Sequence, residues 1–130
     1  MRNDSMLRTA LRGNALYTAL CGAVLLVDGP ALAAPFGLSD GTPLQAVGAV
    51  FVFVAAALAV VAQRRRPLEA LALTVADAGY VVASIALVLI RPTTLSAIGR
   101  EATLLVAVGT AAFVAAQAVG LRRAAGAAVA

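Results

Sequence analysis

The sequence predicts an all-α membrane protein with four transmembrane helices in a single domain. Of its 130 residues, 62% are hydrophobic and 12% are charged. Soluble domains are about half apolar and about a quarter charged, so this is a membrane composition. Four apolar runs also recur along the chain, each near the roughly 20 residues that a helix needs to cross about 30 Å of hydrocarbon.

The four predicted helices cover residues 9–28, 44–62, 68–90 and 101–121. Backbone groups in lipid must be satisfied within the segment, so runs of this length form helices rather than strands. Glycine- and proline-containing sequences separate the runs, namely 29-GP-30, Pro35, 39-SDGTP-43, Pro67 and 91-RPTT-94. The apolar but proline-broken segment 30–38 is predicted to be an interfacial loop or a short re-entrant piece.

Arginine placement orients the predicted bundle. All ten basic residues are arginines, and a four-span chain places eight on the side of its termini: Arg2, Arg8, Arg12, Arg64, Arg65, Arg66, Arg122 and Arg123. The opposite side has only Arg91 and Arg100, with the acidic residues Asp28, Asp40 and Glu101. The positive-inside rule therefore predicts a multi-pass protein of the bacterial inner (plasma) membrane with both termini in the cytoplasm.

The N-terminal region has a second interpretation. Arginines, the apolar stretch 15-ALYTALCGAVLLV-27 and then 31-ALA-33 are typical of a secretory signal peptide with a small-residue cleavage site. An internal repeat that includes this region favours a retained helix instead.

The repeat pairs residues 5–66 with residues 68–123 as two tandem helical hairpins. The element 14-NALY-17 matches 77-DAGY-80, and 53-FVAA-56 matches 113-FVAA-116. Two hairpins of the same orientation would be related by a pseudo-two-fold axis along the membrane normal, unlike the inverted repeats of many carriers.

Asp77 is the main candidate site residue, because a charged side chain at the centre of a membrane helix costs roughly 2.5–3.5 kcal/mol on insertion scales. It should therefore face the bundle and have polar partners. The residues that helical spacing and the repeat place near it are Asn14, Tyr17, Tyr80, Ser84, Thr103, Thr110 and Gln117. Arg12 is predicted to form an ion pair with Asp77 near the inner surface.

Two interpretations of this polar cluster stay open. The first is structural: polar side chains hydrogen-bond across membrane helices for roughly 0.6–2 kcal/mol each, and the protein is then a structural or interaction component. The second makes Asp77 the carboxylate of a small proton- or cation-coupled transporter that works as an oligomer. An enzyme is not predicted, because one carboxylate and two tyrosines offer no paired acid, base and nucleophile.

Few cofactors or partners are predicted. Histidine is absent and Cys21 is the only cysteine, which excludes a disulfide framework and the usual zinc and haem sites. The arginines flank apolar runs, so the basic composition indicates lipid contact rather than nucleic acid. The clusters Arg64–Arg66 and Arg122–Arg123 are predicted to set topology, with binding of anionic headgroups as the functional alternative. The small residues Ala112, Ala116 and Gly120 predict close helix packing within the chain or a weak homodimer.

In size and span number the chain resembles the small multidrug resistance transporters, but it has Asn14 in the first helix where that family has an essential glutamate. It is also similar in plan to thiol-oxidising four-helix membrane proteins, whose CxxC pair it lacks. Its span pattern and its Asn/Asp-Ala-x-Tyr element most resemble small bacterial four-span inner-membrane proteins without an assigned activity. That resemblance implies the fold and no substrate.

Overall fold

The computed structural model describes residues 2–64 and 66–129, with side chains from Ser5 onward. This part of the chain forms four α-helices: α1 (Arg2–Phe36), α2 (Thr42–Arg64), α3 (Pro67–Ile90) and α4 (Ala97–Val129). Each helix is long and apolar enough to cross a membrane. The predicted fold class, an all-α chain with four membrane-spanning helices, is confirmed.

Helix α1 is longer than predicted at both ends: it begins before residue 9, and Pro30 and Pro35 lie inside it rather than ending it. A proline lacks the N–H that would bond to the carbonyl four residues earlier, which for Pro30 is the carbonyl of Leu26. The side chain of Gln45 on α2 fills this gap: its Nε2 donates to the Leu26 carbonyl oxygen at 3.1 Å. The freed backbone group is thus satisfied from a neighbouring helix, as hydrocarbon surroundings require.

The end of α1 is set by Gly37, so the interpretation of segment 30–38 as a loop or re-entrant piece is wrong. Gly37 has a φ of +77°, which favours glycine. Its N–H donates to the carbonyl of Ala34 at 3.0 Å, and the N–H of Leu38 donates to that of Ala33 at 2.8 Å. This pair of bonds is a Schellman motif, which satisfies carbonyls at the helix end.

Helix α4 also exceeds its predicted range of 101–121. It begins early because Ser96 caps it: the Ser96 hydroxyl accepts the N–H of Gly99 at 3.0 Å. The same residue joins α4 to the end of α1, since its backbone N–H donates to the Phe36 carbonyl at 2.9 Å. At the other end, alanine-rich sequence after Arg123 continues the helix, as the high helix propensity of alanine favours.

The short loop between α1 and α2 contains a second cap. The backbone N–H of Thr42 donates to Asp40 Oδ1 at 2.7 Å. Hydrogen bonds from Thr42 hold the pKa of Asp40 below its ordinary value. The negative charge therefore lies at the N-terminus of α2, where the helix dipole favours it.

Helix α1 is the centre of the packing. It packs extensively against α2 and also against α4, while α3 packs on α4 and makes few contacts with α2. Gly22 of α1 and Gly48 of α2 lie in close backbone contact, where a Cβ added to Gly48 would lie 2.8 Å from the Gly22 carbonyl oxygen. Near the arginine-rich end, buried apolar residues from α1, α2 and α3 form the core: Leu11, Ala15, Leu58, Val61, Ala62 and Ala70.

The predicted small-residue row on α4 does not form one lipid-facing surface. Gly120 is buried against α1, and a Cβ added to it would lie 2.9 Å from the Cα of Leu7. Ala112 is exposed and Ala116 is partly buried. The Gly120 end of the row therefore serves packing within the chain.

Two glycines provide a matched test of this packing. Gly48→Ala should lower the free energy of unfolding by about 1–3 kcal/mol, because its new methyl group meets backbone atoms of α1 at 2.8–2.9 Å. Gly79→Ala is the control, since nothing lies within 4 Å of an added Cβ there. It should be neutral or slightly stabilising. Thermal unfolding in detergent measures both, and equal losses would contradict the assigned contact.

Candidate functional site

Asp77 is paired with Asn14 across the interface of α3 and α1. The Asn14 Nδ2 group donates to Asp77 Oδ2 at 2.6 Å. Asn14 is 0% exposed and Asp77 is 7% exposed. A carboxylate in this position has lost its water, so the amide donor supplies a hydrogen bond that hydrocarbon cannot.

Thr18 extends this contact along α1. Its hydroxyl donates to Asn14 Oδ1 at 3.0 Å, which fixes the asparagine amide with its nitrogen toward Asp77. Thr18 is also buried. Sequence reasoning missed it, although it lies four residues after Asn14 and therefore on the same helix face.

A second contact, one helical turn along α3 from Asp77, joins α3 to α4. The Thr74 hydroxyl lies 2.8 Å from Gln117 Oε1 and 2.8 Å from the carbonyl of Ala70. Thr74 and Gln117 are both buried, and Gln117 Nε2 has no hydrogen-bond partner among the described residues. Thr74 was not among the predicted site residues, although it lies three residues before Asp77 and therefore on the same helix face.

These five residues form one group that we call the buried polar layer: Asn14, Thr18, Thr74, Asp77 and Gln117. Helix α3 contributes its two central members, which bond to α1 on one side and to α4 on the other. The layer thus ties together three helices, and it includes α3, which otherwise packs mainly on α4.

The predicted ion pair between Arg12 and Asp77 is wrong. Arg12 is exposed, and Asp77 bonds to Asn14 instead. Residues two apart on a helix point about 200° away from each other, so Arg12 and Asn14 cannot share a face. The one ion pair within the described ranges is Arg66 with Glu69, at 3.0 Å.

Tyr17 and Thr110 belong to a separate contact between α1 and α4. Both hydroxyls donate to the carbonyl oxygen of Val106, from 2.9 Å and 3.0 Å respectively. The Tyr17 ring packs on Phe113, with 5.5 Å between the ring centroids. Gly109 leaves room for this tyrosine, because an added Cβ would overlap the Tyr17 hydroxyl.

Tyr80 and Ser84 line a cavity rather than joining the buried polar layer. The cavity has a volume of about 670 Å³ and takes residues from all four helices, including Cys21 and Thr103. The Tyr80 ring meets Phe51 of α2 edge-on, with centroids 5.1 Å apart and an interplanar angle of 80°. The predicted cluster is thus divided among three places in the bundle.

Two sets of contacts involve residues that the predicted repeat matches. Asn14 and Asp77, which the repeat matches, bond to each other. The matched tyrosines each pack on a phenylalanine of the other hairpin, Tyr17 on Phe113 and Tyr80 on Phe51. The duplication itself stays a prediction.

Among the arginines of the predicted topology clusters, Arg64 and Arg66 lie at the junction of α2 and α3, and Arg122 and Arg123 lie within α4. Arg64, Arg66, Arg122 and Arg123 are exposed, while Arg65 lies outside the described residues. The guanidinium of Arg123 contacts the sulfur of Met6 at 3.3 Å, which links the ends of α4 and α1. Within the described part of the chain, no three His, Cys, Asp or Glu side chains come together as metal ligands.

Comparison with known proteins adds no relative. The sequence matches no protein-family model, and no curated protein or solved structure shows significant similarity to the chain. What can be said about function therefore depends on the contacts described above.

The two amides of the buried polar layer should respond differently to apolar replacement. Asn14→Leu removes the donor of buried Asp77 and should lower the free energy of unfolding by about 1–2 kcal/mol. Gln117→Met keeps the length of the side chain and removes an amide nitrogen that has no partner, while Thr74 keeps its bond to the Ala70 carbonyl. It loses the contact of Thr74 with α4 but leaves no charged group without a donor, so the expected loss is smaller, about 0.5–1 kcal/mol. Thermal unfolding in detergent compares the two, and a larger loss for Gln117→Met would contradict the assigned contacts.

Proposed function

We propose that the protein is a non-enzymatic integral membrane protein that acts as a structural or interaction component. In this proposal the buried polar layer holds α3 to α1 and α4. Helices in lipid gain no hydrophobic driving force from association with each other, so hydrogen bonds and close packing must supply the specificity. Asp77 is then a structural acceptor rather than a carrier of protons or ions.

One observation carries this proposal: the buried carboxylate of Asp77 accepts a hydrogen bond from the Asn14 side-chain amide at 2.6 Å. A carrier carboxylate needs a water-accessible route from at least one side of the membrane. Asp77 lines neither the cavity of about 670 Å³ beside Tyr80 nor a second cavity of about 460 Å³ at the arginine-rich end. Its surroundings therefore favour a structural role over transport.

The interaction role is supported by the outer face of α3. Small residues recur along this face at Ala72, Ala76, Gly79 and Ala83, all exposed. Apart from the adjoining turns of α3, no atom of the described residues lies within 4 Å of a Cβ added to Gly79, so another helix could approach closely there. This face of α3 is therefore a better candidate than the small-residue row of α4 for contact with a second copy in a weak homodimer or with another membrane protein. The Gly120 end of the α4 row is already packed within the chain.

The proposed setting is the plasma membrane with both termini in the cytoplasm, since eight of ten arginines lie on that side of a four-span chain. Single cysteines at Ser39 and Gln63, in a Cys21→Ala background, test this orientation. Both positions are exposed near helix ends. An impermeant thiol reagent on intact cells should label residue 39 and not residue 63. The opposite pattern would reverse the orientation, and labelling of both would contradict four spans.

Asp77→Asn distinguishes the structural role from transport. The asparagine keeps an oxygen that can accept from Asn14, so the melting temperature should stay within about 2–4 °C, which for a domain of this size corresponds to less than about 1 kcal/mol. Proton flux in proteoliposomes is measured beside it, with protein-free liposomes as the control. We expect wild type and variant to conduct no more than the control. A wild-type flux that the variant loses at unchanged stability would establish the transporter alternative instead.

A further inference from the structure

The arginine-rich end of the bundle contains a cavity whose wall combines charged and apolar side chains, as would suit the charged headgroup and apolar chains of a phospholipid. It has a volume of about 460 Å³ and takes residues from all four helices. Arg8 and Arg66 contribute the charged part of its wall, while most of the rest is apolar. Small-molecule sites in proteins commonly measure about 300–1,000 Å³, so the space is large enough for part of a lipid.

Charged and apolar groups are ordered along this wall. Leu11 follows Arg8 by three residues on α1, and Ala70 of α3 follows by four residues Arg66, the N-cap residue of that helix. Each pair therefore shares one helix face, with the arginine nearer the end of the bundle. On α4, Ala124, Ala125 and Ala128 line the cavity with small side chains that leave the space open.

We propose that this cavity binds one anionic phospholipid, with an acyl chain along the apolar wall and the phosphate at Arg8 and Arg66. A largely apolar space offers water few partners, whereas a lipid chain fills it. Two arginines in the wall of this space are complementary to a phosphate, which arginine can bind through paired N–H donors. Basic pockets between membrane helices bind acidic headgroups in this manner.

Glu69 competes for one of these arginines. Its Oε1 accepts from Arg66 Nη1 at 3.0 Å, in a pair with exposed side chains. A guanidinium has five N–H donors, so Arg66 can hold Glu69 and still contact a phosphate. The carboxylate nevertheless reduces the local positive charge, and removing it should strengthen lipid binding.

The test is native mass spectrometry of the full chain, released from detergent with phosphatidylglycerol or with phosphatidylcholine of the same acyl chains. We expect one phosphatidylglycerol to bind at least fivefold more tightly than phosphatidylcholine. Arg8→Gln and Arg66→Gln should each weaken phosphatidylglycerol binding about fivefold, the effect expected for one basic residue near a charged headgroup. Glu69→Gln should tighten it.

Two further variants separate this site from general attraction to arginine. Arg91→Gln removes an exposed arginine at the opposite end and should leave phosphatidylglycerol binding unchanged. Ala125→Phe, at an exposed position of the cavity wall, should weaken binding of the two-chain lipid while keeping every charge. Glycerol phosphate, which has no acyl chain, should not compete.

Equal binding of the two lipids would overturn the proposal, as would equal losses for Arg91→Gln and Arg8→Gln. Competition by glycerol phosphate, with Ala125→Phe unaffected, would replace the lipid site with a simple phosphate site. None of these results depends on the role of Asp77, so the structural proposal and the lipid site can fail separately.

Discussion

A polar group within hydrocarbon is costly unless it finds a partner inside the protein, and this constraint accounts for the least expected contacts of the bundle. Asp77 obtains a donor from Asn14. The Leu26 carbonyl, which Pro30 leaves without its usual donor, obtains one from Gln45. In both cases the partner comes from another helix, so satisfying a polar group also fixes the position of one helix against the next.

Close backbone approach completes the bundle where polar contacts are few. Gly22 and Gly48 let α1 and α2 meet backbone to backbone, and Gly120 lets α4 approach Leu7 of α1. Helix α3 makes no comparably close glycine contact, since the only glycine on it, Gly79, faces outward. Polar contacts, made by Thr74 and Asp77, are thus more important for the attachment of α3 than for the attachment of the other helices.

The number of helices and the bounds of α3 could be predicted from the sequence. The length of each apolar run indicates a span, and Pro67 marks the start of α3, and both are local signals. The sequence also placed Asp77 inside the bundle, since a carboxylate facing lipid is costly. It failed at Pro30, where the helix continues because Gln45, fifteen residues later, supplies the missing donor. No local rule contains that contact.

The candidate site was predictable to a similar degree. The predicted repeat matches Asn14 with Asp77, and the two side chains form a hydrogen bond in the structure. The charge of Arg12 suggested a pair with Asp77, but Arg12 lies on the opposite face of α1 from Asn14 and is exposed. Tyr80 and Ser84 share the face of Asp77, but they lie one and two turns further along α3 and reach a different part of the bundle.

The central claim is that the contact between Asn14 and Asp77 stabilises the fold directly. A double-mutant cycle of Asn14→Leu, Asp77→Leu and the combined variant measures it, with reversible unfolding in mixed detergent as the readout. We predict that the double variant loses less stability than the sum of the single losses, by about 0.6–1.7 kcal/mol. Losses that add within about 0.3 kcal/mol would show that the two side chains act independently, and this would contradict the claim.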